Sequence, residues 1–180
     1  MLIVNRASAA GVPYWQRSAI HSAWLGLGAA HLGLRGSVEA EALRDVLYGR
    51  RPGGEPLTAR PALRRRHGWD LVFAAPKSVS LLALSGAPGA GALRTAFRDA
   101  VAGSLAEVER RAAWVRRAGT EVRASGVVAA AFEHARSDAG QPHLHTHVVL
   151  ANLGRPPGDA SGDWGCLVAD ELWRWREGAG

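Results

Sequence analysis

Three stretches of this 180-residue chain predict a single mixed domain of strands and helices. Residues 126–134 and 143–152 are β-prone runs joined by the polar turn Ser137-Asp138-Ala139-Gly140-Gln141-Pro142, which reads as a hairpin. Residues 69–74, Trp-Asp-Leu-Val-Phe-Ala, alternate and favour β structure, as a central strand would. From Ala92 to about Arg117, Leu93, Phe97, Val101, Leu105 and Val108 recur at steps of three and four. That is the spacing of an amphipathic helix with one face buried on a sheet.

The remaining elements follow in chain order. Leu2-Ile3-Val4 begins a short edge strand that runs into a Gly-Val-Pro turn. From Tyr14 to about Leu32 the spacing is helical, with Trp15 and Trp24 alongside, and Gly26 and Gly28 interrupt it. Ser37 is placed as the N-cap of a helix over residues 38–48, with Glu39 and Glu41 in its first turn and Gly49 as its stop. Tyr48 sits at the end of that helix, where Leu43 and Leu47 make it a packing residue. Residues 50–66 form a Pro-, Gly- and Arg-rich loop ending in Arg64-Arg65-Arg66, which are candidate phosphate contacts. Pro76 hands the strand over to a helix at residues 78–84. After the hairpin come a loop at 156–162, a short strand at 164–168 and the start of a helix at 169–176. That last helix carries Trp173 and Trp175 close to the end of the chain.

Composition narrows the function less than the motifs do. The formal charge is +6 and almost all basic residues are arginine, with Lys77 the sole lysine. A basic chain favours an anionic partner, nucleic acid first. A chain rich in Arg, Ala and Gly also follows from a GC-rich genome, so the charge is weak support. The single cysteine, Cys166, excludes a disulfide framework and a cysteine-based zinc site within the chain. There is no signal-peptide pattern, and no run reaches the ~18 apolar residues of a membrane span. A soluble protein in the reducing cytoplasm, with no membrane partner, is the expectation.

The histidines carry the chemistry. Four of the seven, His134, His143, His145 and His147, fall within one short segment. Residues two apart on a strand share a face, and the hairpin brings His134 back to that face. Three imidazoles converging there make a divalent-metal site with open coordination positions. A single strand histidine is usually a surface or satisfied core residue. Several in an apolar strand are harder to accommodate, because each needs a polar partner. Spacing leaves open whether His143 and His145, or His145 and His147, complete the set.

Two long motifs and a short one add a family likeness. Residues 68–80, Gly-Trp-Asp-Leu-Val-Phe-Ala-Ala-Pro-Lys-Ser-Val-Ser, resemble a conserved segment of conjugative relaxases of the TrwC/MobF type. His134 followed by Pro142-His143-Leu144-His145-Thr146-His147-Val148-Val149 resembles that family's three-histidine motif. The glycine-rich stretch from Trp24 to Gly36 is similar to the segment after the family's tyrosines. The resemblance implies an α+β fold of the HUH type, an antiparallel β-sheet flanked by helices. It implies strand-specific nicking and rejoining of single-stranded DNA at a transfer origin, through a 5′-phosphotyrosyl intermediate. It maps the metal ligands onto His134, His145 and His147, with Mg, Mn or Zn as the ion, and leaves His143 a neighbour. Asp70 falls on the acidic residue that orients a metal-bound histidine or helps activate the tyrosine. Lys77 is a candidate for positioning phosphate. Relaxosome proteins or a separately encoded helicase are the further partners implied.

The chain departs from the family pattern in two ways. The family carries two pairs of tyrosines, whereas here Tyr14 is the one candidate nucleophile and is followed by Trp15. Residues 1–180 read as one relaxase-like domain, incomplete at its C-terminus, and no Walker motif supports a helicase. His21 is given no role. Two other functions stay in view: a non-catalytic single-stranded-DNA-binding remnant, and a metal-dependent hydrolase unrelated to DNA.

Overall fold

The computed structural model describes residues 2–58, 66–117, 119–158 and 164–170. Its framework is a five-stranded antiparallel sheet in the order β1-β3-β7-β6-β2. Strand β1 (Leu2–Ala7) is an edge, as its short apolar run predicts, and β3 (Gly68–Ala74) lies beside it. The centre is β7 (Pro142–Arg155), so β3 is interior but one place off the middle. Next to β7 lies β6 (Gly126–Arg136), and β2 (Ala19–Leu25) closes the far edge. Between β6 and β7 the predicted turn forms, with the Gly140 amide donating to the Ser137 carbonyl and Gly140 at φ 76°.

Alternation divides the sheet into two faces. One buries Val128, Ala130, Phe132, Val149, Ala151 and Leu153 under α1 (Val12–Gln16) and α3 (Ala40–Leu47). The other buries Trp69, Leu71, Val127, Ala129, Val148 and Leu150 under α5 (Ala90–Ala112). Helix α4 (Lys77–Leu84) begins directly after Pro76, and its Ser80 hydroxyl accepts from the Leu144 amide of β7.

Several expected boundaries move, each for a local reason. The stretch of helical spacing from Tyr14 to Leu32, interrupted at Gly26 and Gly28, is three elements: α1, the edge strand β2, and α2 (Leu27–His31). Tyr14 and Trp15 belong to a helix and Trp24 to a strand, so the stretch joined unrelated elements. The Gly-Val-Pro segment enters α1 through a short 3-10 turn at Ala9–Gly11, with Pro in the first helical turn. Ser37 is not an N-cap. The Val38 amide donates to Ser22 Oγ, tying this segment to β2, so α3 starts at Ala40 with Glu39 as its cap. Gly49 does end that helix region, at φ 76°.

The long helix stops at Ala112, where Ala113 turns extended and β4 (Trp114–Arg117) pairs with β5 (Thr120–Arg123). Residues 164–168 form two isolated bridges, Gly165 with Gly154 and Leu167 with Val115, instead of a strand. Arg64, Arg65, Trp173 and Trp175 lie outside the described residues. Among the described residues no helix is long and apolar enough to cross a membrane.

One tight crossing holds the far edge. Glu109 Oε1 of α5 accepts from the Leu27 amide at 2.9 Å and the Val127 amide at 2.7 Å. This pins the start of α2 onto the start of β6, with glycines at the crossing. A Cβ on Gly126 would lie 2.6 Å from the Gly28 nitrogen. Gly126→Ala is therefore expected to destabilise by about 1–3 kcal/mol through overpacking. Gly103→Ala, in the exposed middle of α5 with nothing within 4 Å of the added carbon, should stabilise by about 0.5–1 kcal/mol. Urea unfolding of the two variants checks the opposite signs.

Candidate metal centre

Register assembles the site. His134 of β6 stands opposite His145 of β7, and His147 stands opposite Val72 of β3. Odd-numbered residues of β7 face α1, so His143, His145 and His147 line one side of the strand. His134 joins them across the ladder. One ring nitrogen from each of His134, His145 and His147 lies within 4.8 Å of the others. The choice that spacing left open falls to His145 and His147. His143 is partly exposed beside them, its ring 4.9 Å from that of His145.

Each ring is held by a bond on one nitrogen. His134 Nε2 bonds the Trp15 carbonyl at 2.9 Å, and His145 Nδ1 bonds the His143 carbonyl at 3.0 Å. A carbonyl only accepts, so those nitrogens carry the protons and the opposite ones present lone pairs. His147 Nδ1 faces the Asp70 carboxylate, at 2.9 and 3.0 Å from its two oxygens. Asp70 reaches it from β3, 6 % exposed. A metal-binding histidine needs an outer partner of this kind. The donor set therefore fits a divalent ion: three imidazoles, each able to offer one ring nitrogen within 4.8 Å of those of the other two.

Tyr14 stands at the open side of this cluster. It is 51 % exposed, and its ring meets that of His147 edge-on with centroids 5.5 Å apart. Burial pushes the phenol above its ordinary pKa, and the charges of Asp138 and Asp70 push it the same way. Without a cation nearby, this phenol stays protonated.

Trp15, which the sequence marked only as an aromatic in place of a second tyrosine, lies beneath the site. It is 3 % exposed, and its indole Nε1 donates to Asp70 Oδ2 at 3.1 Å. No local pattern could have disclosed that bond between residues 55 positions apart.

Of the other candidates, Lys77 opens α4 and donates to the Pro142 carbonyl at 3.0 Å, at the start of the histidine strand. Arg66 lies at the opposite end of β3, with its guanidinium 5.7 Å from the Trp69 ring centroid. It is not brought to the histidines. Tyr48 packs edge-on against His67, as a core residue should.

The comparisons with known proteins decide the family. The family model described as TrwC relaxase matches residues 4–180. The chain belongs to the TrwC relaxase family. The Multifunctional conjugation protein TraI of Escherichia coli strain K12 is 36 % identical to this relaxase-family chain over 170 residues. That match covers 88 % of the chain and 9 % of TraI. Conjugative relaxase TrwC, solved metal-free in complex with OriT DNA, matches with a TM-score of 0.79 and 33 % identity. It covers 97 % of this chain and 63 % of that one. A metal-bound TrwC–OriT complex matches at 0.78 and 31 %, again over 97 % and 63 %. The chain thus spans less than two thirds of these relatives.

Burial holds the His134 and His145 imidazoles below the usual histidine range, and the charge of neighbouring imidazoles works in the same direction. Their folded pKa values lie below the unfolded value of about 6.5, so the unfolded chain binds more protons in between. Metal-free protein should lose stability as pH falls from about 6.5 through the lowered values. Urea midpoints in EDTA at pH 7.5 and 5.5 test this. A His134→Gln/His145→Gln variant should show a smaller drop than the parent.

Proposed function

We propose that this chain nicks and rejoins single-stranded DNA at a transfer origin, with Tyr14 as nucleophile. The observation that carries this reading is the placement of one partly exposed phenol edge-on to His147, beside three convergent imidazoles. Family membership supports the same reading, and the TrwC structures contain OriT DNA.

His134, His145 and His147 would hold a divalent cation, with Mg, Mn and Zn the candidates. Bound there, such an ion supplies positive charge to the non-bridging oxygens of a phosphodiester as they gain negative charge. Tyr14 Oη attacks the scissile phosphorus, forming a P–O bond to tyrosine while the P–O3′ bond breaks. The phenolic proton passes to solvent, and the departing 3′-oxygen takes one up. Attack by that 3′-hydroxyl reverses the step and rejoins the strand.

Asp70 had two roles open to it. Its oxygens already accept from His147 and Trp15, which favours orientation of His147 over proton removal from Tyr14. Lys77 is suited to a phosphate near the start of β7. Arg66, with Arg64 and Arg65 beside it in sequence, is better suited to DNA away from the scissile bond.

Purified protein, Mn²⁺ and labelled single-stranded DNA spanning a transfer origin should yield a denaturant-resistant protein–DNA adduct. Tyr14→Phe removes the attacking oxygen and should abolish the adduct outright. His145→Ala should abolish it while leaving the far-UV spectrum of the fold in place. Retention of DNA binding without any adduct from the parent would show a binding remnant instead of a nicking enzyme.

A further inference from the structure

We propose that Trp15 is a positioning residue, a latch that holds α1, and with it Tyr14, against the histidine cluster. This inference rests on the reading of Tyr14 and the three histidines given above. Helix α1 is a single short turn on the surface of the sheet, too short to hold its position by its own hydrogen bonds. Two bonds from one residue tie it down. The Trp15 indole donates to Asp70, and the Trp15 carbonyl accepts from His134. The two partners sit on different strands, β3 and β6, on either side of the histidine strand β7.

Trp15 therefore spans the cluster from below while Tyr14, its neighbour, faces it from the open side. Its indole also completes the surroundings of the Asp70 carboxylate. With His147 alone as donor the carboxylate would be free to swing. With Trp15 Nε1 on Oδ2 it is held facing His147. Backbone space is cut to fit: a Cβ on Gly11 would lie 3.0 Å from the Trp15 ring.

Trp15→Phe keeps an aromatic ring and deletes the N–H. The matching control is Trp69→Phe, on the opposite face of the sheet, where the indole nitrogen is buried without a hydrogen-bond partner among the described residues. Two readouts apply. In metal-free protein, proton NMR cross-relaxation between the Tyr14 and His147 rings reports the placement of α1. Calorimetric titration with Mn²⁺ alone reports the donor set.

Trp15→Phe is expected to lose at least half of the Tyr14–His147 cross-peak and to weaken Mn²⁺ binding about tenfold, the scale of a lost outer partner. Trp69→Phe should leave both at parental values. Should Trp15→Phe fail to fold, Gly11→Ala displaces the indole less severely and should weaken both signals in the same direction. A folded Trp15→Phe with both readouts at the parental level overturns the proposal. If the parent itself binds no Mn²⁺, the metal reading fails, and the cross-peak alone decides whether Trp15 is a latch.

Discussion

The register between β6 and β7 is the constraint on which the site depends. Because β7 is paired on both sides, it cannot slide without breaking two ladders at once. A shift of one residue would turn Leu144 and Thr146 toward α1 and bury His145 and His147 under α5. With the register as it stands, His134, His145 and His147 share a face, and Asp70 reaches that face from the next strand. No loop supplies any of these four groups. A site built on strands holds its donors more firmly than one built on connecting segments.

The face behind the histidines supports this register. Glu133, directly before His134, points the other way and is 1 % exposed. Arg98 of α5 grips it at two points, with Nε at 2.6 Å and Nη2 at 3.0 Å from its oxygens. A buried carboxylate costs free energy unless it is paired, so any slip that unpaired Glu133 would be opposed. The same strand residue pair, Glu133 and His134, thus anchors β6 to a helix on one side and offers a donor on the other.

How much of this was legible in the sequence depended on whether a residue's partner lay nearby in the chain. The hairpin and its turn were readable, because β pairing of adjacent segments leaves an alternation and a Gly-bearing turn. So were β3, the Pro76 handover and most of α5. Strand β2 was hidden, because its residues, Ala-Ile-His-Ser-Ala-Trp-Leu, do not alternate cleanly between apolar and polar, and the turn that separates it from α1 puts Ser18, not a glycine, at φ 57°. The cap at Ser37 failed because the Val38 amide bonds Ser22 of β2 and holds this stretch against the sheet edge, so the helix begins only at Ala40. Spacing could bring His134 near the other histidines, but it could not choose between His143 and His147. The role of Trp15 had no local signature at all, since a tryptophan in a short amphipathic turn looks the same whether or not its nitrogen finds a distant carboxylate.

The strand order has a consequence for the order of events during synthesis. A chain leaves the ribosome from its N-terminus, and here the middle strand of the sheet is the last of its five described strands to be made. Strands β1 and β3 can pair as they emerge, but β2 has no neighbour until β6 arrives, and those two halves have no common seam until β7 is out. Helix α1, though among the first segments translated, must wait for its carboxylate and imidazole partners on strands made long after it. Until translation has passed β7, the nascent protein therefore has neither His145 nor His147 for α1 to face, and the candidate site closes in a single late step.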